Sequence, residues 1–385
     1  GMLEQADDFF KASGAWSVEL YRADIEMNLR SKRMAGFQLL DLQDYPGQGS
    51  AYVGILDAFM DSKGLVEPKK WREFCSEVVP LLTTAKFCWT GGESFAGTVE
   101  IANYGETSLN EKSISWELKN GKKSLGKGKM AIPSGLGLLT AGTIRLTLPD
   151  VEQAYKAELL LKVSGTSYQN SYPLWIYPAK AGNVVVARQL TDDVLNALKQ
   201  GGKVLLMPRE EDCKEVTVGG LFQTDYWNYR MFKSICDRIK KPASPGTLGI
   251  LTNPEHPVFD DFPTEYHTNW QWYPIIKHSY PLILDGMPKE YRPIVQVIDN
   301  VERNHKLGLL MELNVEGSKL LLCMSDLEAV RDTPEGLQFY AALLAYMNSS
   351  DFKPSTSLSV ESFKNLFETG VRKEGIKVLD NISYE

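Results

Sequence analysis

Three groups of residues have types and spacings that could do chemistry. The first is Asp41, Gln43, Asp44 and Gln48, at the end of the short apolar run 37–42. Carboxylates at the carboxyl end of a parallel strand are where barrel and α/β enzymes hold the groups that bind or convert substrate. The plain alternative, more frequent for an arbitrary strand end, is that they cap and solubilise the turn Tyr45-Pro46-Gly47-Gln48-Gly49. The second group is His256, Glu265, His267, Trp270 and Trp272, all within seventeen positions. Indole faces stack on the C–H surface of a sugar ring while neighbouring polar groups take its hydroxyls, which makes His267, Trp270 and Trp272 candidates for substrate binding. An interdomain contact explains the same composition, since Trp and Tyr are enriched at interfaces, and is the favoured reading.

The third group is the cysteines Cys75, Cys88, Cys213, Cys236 and Cys323, widely scattered and without a C-x-x-C pair. Zinc is disfavoured, at least one thiol stays unpaired in a monomer, and packing is their expected role. Cys323 lies in an apolar strand, and Cys213 in a charged loop lacks the strand-to-helix turn that activates a thiol. No G-x-S-x-G elbow exists. Gly201-Gly202 ends a helix instead of opening one, so no phosphate loop is present, and the four histidines show neither H-x-x-x-H nor H-x-H spacing. No catalytic residue, metal or cofactor is predicted from these patterns.

The elements that must position these groups change character along the chain. Residues 9–30 read as a helix apolar over a wide arc, with Trp16, Leu20, Ala23 and Met27 on one face and Val18, Tyr21, Ile25 and Leu29 on the next, so it is buried on more than one side. The strand 37–42 and a short helix 69–76, opened by Pro68, complete one α/β unit or slightly more within residues 1–80. From 83 to 178 the period becomes two: about seven strands with turns at Asn120-Gly121, 133–135 and 165–166 suit an immunoglobulin-like β-sandwich without its usual cysteine pair. From 184 to 348 strands alternate with helices, including a strand at 184–187, a helix capped by Thr191, a hairpin across 314–318 and a helix over 335–347, as in an open α/β sheet. A polar tail, 349–385, carries a short helix near 360–367. The fold class is therefore multidomain α/β plus all-β.

The 385 residues allow two or three domains, and a hydrophobic fraction of 43% with 24% charged residues describes a soluble, folded protein. A net charge of −7 without a basic run argues against nucleic acid, and no stretch is long and apolar enough to span a membrane. No signal peptide is visible; Gly1 ahead of Met2 reads as a cloning remnant, which leaves the natural start and any targeting segment open.

One long segment adds a family resemblance. Met34-Ala-Gly-Phe-Gln-Leu-Leu-Asp-Leu-Gln-Asp-Tyr-Pro-Gly-Gln-Gly49, followed by Ala51-Tyr-Val-Gly-Ile-Leu-Asp-Ala-Phe59 and Asp61-Ser-Lys-Gly64, resembles the last strand and following loop of the catalytic TIM barrel in β-galactosidase-like enzymes of glycoside hydrolase family 2. Pro173-Leu-Trp-Ile-Tyr-Pro178 is similar to the end of the β-sandwich that follows there. His256-Pro-Val-Phe259, Phe262-Pro-Thr-Glu265, Asn269-Trp-Gln-Trp272 and Tyr291-Arg-Pro-Ile-Val-Gln-Val-Ile-Asp299 are similar to a flavodoxin-like, class I glutamine amidotransferase-like α/β domain. The resemblance implies a partial TIM-barrel segment (1–80), a sandwich (83–178), a noncatalytic amidotransferase-like domain (184–348) without its elbow cysteine, and a tail. It also implies a parent acting on β-linked sugars in the periplasm or outside the cell. The family's acid/base and nucleophile glutamates have no counterpart here, and retaining hydrolysis needs both. The chain is thus expected to be inactive alone, with carbohydrate, the rest of the barrel or a second copy as partners; a stand-alone carbohydrate-binding or assembly module is the alternative. Residues 1–80 are expected to pack against the rest of the chain, and 83–348 to stay soluble without them.

Overall fold

A long helix, α1 (Ala6–Arg30), leads into everything else. Asp7 and Asp8 in its first turn and Arg30 in its last suit the helix dipole. Gly14, which costs about 1 kcal/mol against alanine in mid-helix, has a reason: a β-carbon there would lie 2.4 Å from Cδ2 of Leu65, so its absence lets the following loop lie on the helix. The computed structural model describes residues 1–46, 52–105, 109–179, 191, 193, 194, 196, 202–221, 229–241 and 246–368.

The strand expected over 37–42 does not form. These residues are irregular, Leu40 is 86% exposed, and pairing is confined among the described residues to bridges of Gln43 with Leu56 and of Leu56 with Ser62. A strand needs a neighbour for its N–H and C=O groups, and among the described residues no strand pairs with this one. The helix after Pro68 is a single turn, α2 (Pro68–Trp71). The described residues before β1 are accordingly the α1 helix with largely irregular chain folded over it, held by Val18, Ile25, Ile55 and Phe74.

Two sheets follow. β1 (Val78–Thr84), β3 (Ser94–Asn103) and β6 (Gly137–Thr147) make an antiparallel three-stranded sheet in the order β1-β3-β6. The five-stranded sheet runs β2 (Cys88–Thr90), β8 (Gln169–Tyr177), β7 (Tyr155–Val163), β4 (Ser113–Asn120), β5 (Lys123–Ala131), with β2 parallel to β8. Period-two patterning does what it should: Ala157, Leu159, Leu161 and Val163 of β7 point inward against Phe95, Val99, Ile101 and Ile144 of the other sheet, while Lys156, Glu158 and Lys162 face out. The junction Val78–Leu82 belongs to β1, which pairs with β3 from Val78↔Asn103 to Thr84↔Gly97.

The third sheet runs β10 (Gly249–Thr252), β12 (Val295–Ile298), β13 (Lys306–Val315), β14 (Ser318–Cys323), β9 (Lys203–Leu206), with β11 (Leu282–Ile283) and β15 (Ser357–Leu358) also on β13. Among the described pairings β14–β9 and β13–β15 are parallel and the others antiparallel, so the sheet is mixed, not the crossover-built parallel sheet of flavodoxin-like proteins. Short connections dictate this: β13 and β14 are joined by Glu316-Gly317, both at positive φ (50° and 93°), the geometry a two-residue hairpin demands. Helices α3 (Glu210–Cys213), α4 (Tyr229–Ile239), α5 (Tyr273–Lys277), α6 (Pro334–Asn348) and α7 (Val360–Glu368) complete the described elements. Thr333 caps α6 by accepting from Gly336 N–H (3.1 Å). The Oγ1 of Thr191 accepts from Val194 N–H (3.4 Å), but the strand expected at 184–187 lies outside the described residues.

One core runs through all three segments. Trp16 of α1, Cys88 and Trp175 of the five-stranded sheet, and Ile250, Phe262, Trp272 and Phe339 of the last segment belong to a single buried cluster. The expectation that 83–348 is self-sufficient does not fit this geometry: removing α1 would open the core at Trp16 and strip Gln296 of its hydrogen bond from Gln5 Nε2 (3.1 Å).

Polar contacts join α1 to the sheets alongside its apolar residues. Met27, assigned to the buried face, is 60% exposed, whereas Arg22 and Glu26 are buried. Glu26 accepts four hydrogen bonds: Arg22 Nε (3.0 Å) and Asn170 Nδ2 (3.0 Å) on Oε1, Arg30 Nη2 (2.9 Å) and the Tyr172 hydroxyl (3.1 Å) on Oε2. Arg22 Nη2 continues to Asn170 Oδ1 (2.9 Å) and the Ser171 carbonyl (2.6 Å), and its guanidinium lies 4.6 Å from the Tyr172 ring centroid. Burial alone would raise the Glu26 pKa, but Arg22 and Arg30 outweigh it and hold the carboxyl below its ordinary range. Breaking a buried pair by removing one partner strands the other charge. Glu26→Leu is therefore expected to destabilise the chain by about 3–5 kcal/mol in chemical denaturation. The double variant Arg22→Met/Glu26→Leu should recover part of that loss; a single variant as stable as the parent would show that the pair does not hold α1.

Candidate functional site

The sequence-derived candidates do not converge. Asp44 is a structural group: its Oδ1 accepts from Gly54 N–H (3.0 Å) and from Lys63 Nζ (2.6 Å), with Asp44 and Lys63 both largely buried. Lys63 Nζ also donates to the Gly54 carbonyl (2.9 Å). Gly54 permits this closure, since a β-carbon there would lie 2.3 Å from the Gln43 carbonyl carbon. Asp41 is half-buried and offers its backbone carbonyl to the Tyr21 hydroxyl (3.1 Å); Gln43 contributes its backbone bridge to Leu56; Gln48 lies outside the described residues. Asp41, Gln43 and Asp44 thus sit on a folded-back loop, where no parallel strand end presents them.

Trp272 is fully buried among Phe259, Phe262 and Phe339, its Nε1 donating to Thr264 Oγ1 (2.7 Å), so it has no face to offer a ligand. His267 is half-buried, with Nδ1 2.8 Å from the Thr268 carbonyl. Glu265 pairs with Lys156 of β7 and with Asn269; burial pushes its carboxyl up, and Lys156 more than reverses this. Trp270 is different: it is partly exposed, meets Trp16 edge-on at 5.1 Å, and lies nearly parallel to Phe87 (centroids 6.2 Å apart, 21° between planes).

Trp270 belongs to a cleft of about 290 Å³ where α1, the β1 end, the loop before β2 and β8 meet. Phe87 and Trp270 form its apolar wall, and Arg22, Glu26 and Arg30 line its floor and side. Every oxygen of Glu26 is engaged, and Arg30 is held by the Leu82 carbonyl (Nη2, 2.7 Å) and Thr83 Oγ1 (Nε, 3.2 Å). Among the described residues, Nη1 of Arg22, Nη1 of Arg30 and the Glu19 carboxylate make no hydrogen bond. The cleft can therefore offer two donors and one acceptor group beside an aromatic surface. Of its residues, the sequence reading singled out Trp270 as a candidate. The missed signal was Arg22, Glu26 and Arg30 at four-residue steps, alternating in sign along α1; such spacing reads equally as a solvated ladder.

Other titratable clusters lack the parts for bond cleavage. His305 Nδ1 lies 2.7 Å from Asp285 Oδ2, with Asp299 and Arg303 alongside, yet no hydroxyl or thiol is hydrogen-bonded to the ring among the described residues. The Asp285 hydrogen bond raises the imidazole pKa. Burial pushes the thiols of Cys213 and Cys323 up to about 12, the reverse of activation. No group of three or more His, Cys, Asp or Glu side chains that could hold a metal occurs among the described residues, and no described helix is long and apolar enough to cross a membrane.

Comparison with known proteins gives two matches to families defined without a function. Residues 93–178 match a domain of unknown function (DUF8488), and residues 185–368 match another (DUF8487). No curated protein matches the sequence. Among solved structures, the chain is similar in part to the alkylpurine DNA glycosylase AlkC of Pseudomonas fluorescens (10% identity, 26% of this chain and 30% of that one, TM-score 0.19). It is also similar in part to a β-glucosidase from Listeria innocua (18%, 29% and 17%, TM-score 0.20) and to the β-glucuronidase of Parabacteroides merdae (13%, 35% and 22%, TM-score 0.20). The chain spans less than a third of each of these proteins, and at such scores the likeness carries no argument.

Asp44→Ala is expected to open the loop 41–63 to limited proteolysis and lower stability by roughly 3 kcal/mol, because Lys63 is left buried and unpaired. Asp41→Asn should leave both unchanged, and equal effects of the two would contradict the assignment. For His305 the sign is that of a raised pKa: its contribution to stability is complete below the ordinary imidazole value and is lost as pH rises through the raised value. Denaturation midpoints should thus decline as pH rises above the ordinary imidazole value, and His305→Gln should flatten that slope.

Proposed function

We propose that the chain is the C-terminal accessory portion of a glycoside hydrolase acting on β-linked sugars, with the catalytic carboxylates supplied by polypeptide that packs on its 34–60 loop. The observation that carries this reading is the exposed apolar surface of that loop. Met34, Phe37, Leu40, Leu42, Tyr45, Tyr52, Phe59 and Met60 are all solvent-facing, Leu40 and Phe59 at 86% and 85%. Clustered exposure of large apolar side chains marks a surface that a partner covers. It falls on the segment whose residues resemble the last strand and loop of a family 2 barrel, and that strand would gain its missing neighbours from the covering polypeptide. The β-sandwich of that family is the finer domain assignment that goes with this reading. The parent would work in the periplasm or outside the cell.

The alternative, a stand-alone carbohydrate-binding or assembly module, has the cleft beside Trp270 in its favour. Hydrolysis assays separate the two. The chain alone is expected to leave aryl β-galactosides, β-glucosides and β-glucuronides uncleaved, since a retaining glycosidase needs two carboxyl groups about 5–5.5 Å apart. A polypeptide encoded directly upstream, supplied in trans or fused, should bind the chain, confer turnover, and lose affinity on Leu40→Asp/Phe59→Asp. Turnover by the chain alone, or wild-type assembly of that double variant, would overturn the reading.

A further inference from the structure

We infer that the cleft between α1 and Trp270 is a binding site for one neutral glycosyl unit, a hexopyranose ring without a charged substituent. Its volume, about 290 Å³, lies at the small end for ligand sites and suits a single ring. Its chemistry is two-sided. Phe87 and Trp270 offer apolar surface to the C–H face of the ring, and in the same cleft the Nη1 atoms of Arg22 and Arg30, unengaged among the described residues, can donate while the Glu19 carboxylate accepts. A hydroxyl both donates and accepts, so neighbouring ring hydroxyls can satisfy all three groups at once.

The charges decide the ligand class. Arg22 and Arg30 share Glu26 between them, and Glu19 stands at the same cleft, so two positive and two negative groups balance. A uronate or phosphate would gain little from arginines already neutralised by Glu26 and would be repelled by Glu19. A neutral polyol meets no such repulsion. Arg22 is nine-tenths buried and its Nε and Nη2 are locked by Glu26, Asn170 and Ser171, so the donor is pre-oriented and little ordering remains to be done on binding. The inference rests on the cleft as a binding site and not on the hydrolase reading.

Ligand-observed NMR and calorimetry on the full chain, with methyl β-glucoside, methyl β-galactoside and glucuronate as probes, provide the test. At least one neutral glycoside should bind with a dissociation constant on the order of 1 mM. Glu19→Ala should weaken it about tenfold, the loss expected for one hydrogen bond to a charged group. Glu19 makes no hydrogen bond among the described residues, so the fold should be largely unaffected. Phe87→Ala should abolish binding, and Tyr104→Ala, at an exposed position elsewhere, should change nothing. No binding of either neutral glycoside, tighter binding of glucuronate, or affinity indifferent to Glu19→Ala would each overturn the proposal. A reconstituted hydrolase without glycoside binding here would refute this site and leave the proposed function standing.

Discussion

Everything in this structure turns on a carboxylate buried with its charge intact. Glu26 lies where α1 crosses β1 and β8, and it survives there because four donors converge on it, two from α1 itself and two from β8. Desolvating a carboxylate is costly, so this arrangement stabilises the fold only when every partner is in place. It acts as a register device: Asn170 and Tyr172 on β8, Arg22 and Arg30 on α1 and the β1 backbone carbonyls of Pro80 and Leu82 must all arrive together. A helix held by apolar contacts alone could slide by a turn; one held by a directional network cannot.

The same network shapes the cleft. Arg22 and Arg30 reach into it because their other nitrogens are fixed, and Trp270 forms a wall because Trp16, buried in the core, supports its edge. Structural and binding roles therefore belong to one set of side chains. The irregular 34–64 loop plays a separate part, closed by Asp44 and Lys63 and presenting its apolar residues outward.

Much of the fold was legible where local patterning and tertiary environment agree. The strands of the two facing sheets follow from period two, the α6 helix from Thr333-Pro334-Glu335 and its apolar run, and the β13–β14 hairpin from Asn314 to Ser318. Legibility failed where the environment overrules the pattern. Phe37–Leu42 is apolar and short like a strand but has no neighbour to pair with among the described residues, and Met27 lies on an exposed helix face. The site was the least legible part. A helical Arg-Glu-Arg ladder has the same spacing in water as in a core, and only Asn170, arriving from a distant strand, tells the two apart. Trp270 and Trp272, two positions apart, face a cleft and a core respectively, a distinction that composition cannot make.

The single core that runs from Trp16 through Trp175 to Phe339 has a consequence for how this polypeptide could be recombined. The two matched families divide the chain between 178 and 185, but the packed interior does not respect that division. A crossover placed there would exchange half of an interior, leaving Trp175 and Phe262 against foreign partners. Sequence kinship and cooperative unit thus have different borders, and the heritable modules of this chain can be shuffled only together with the complementary halves of their core.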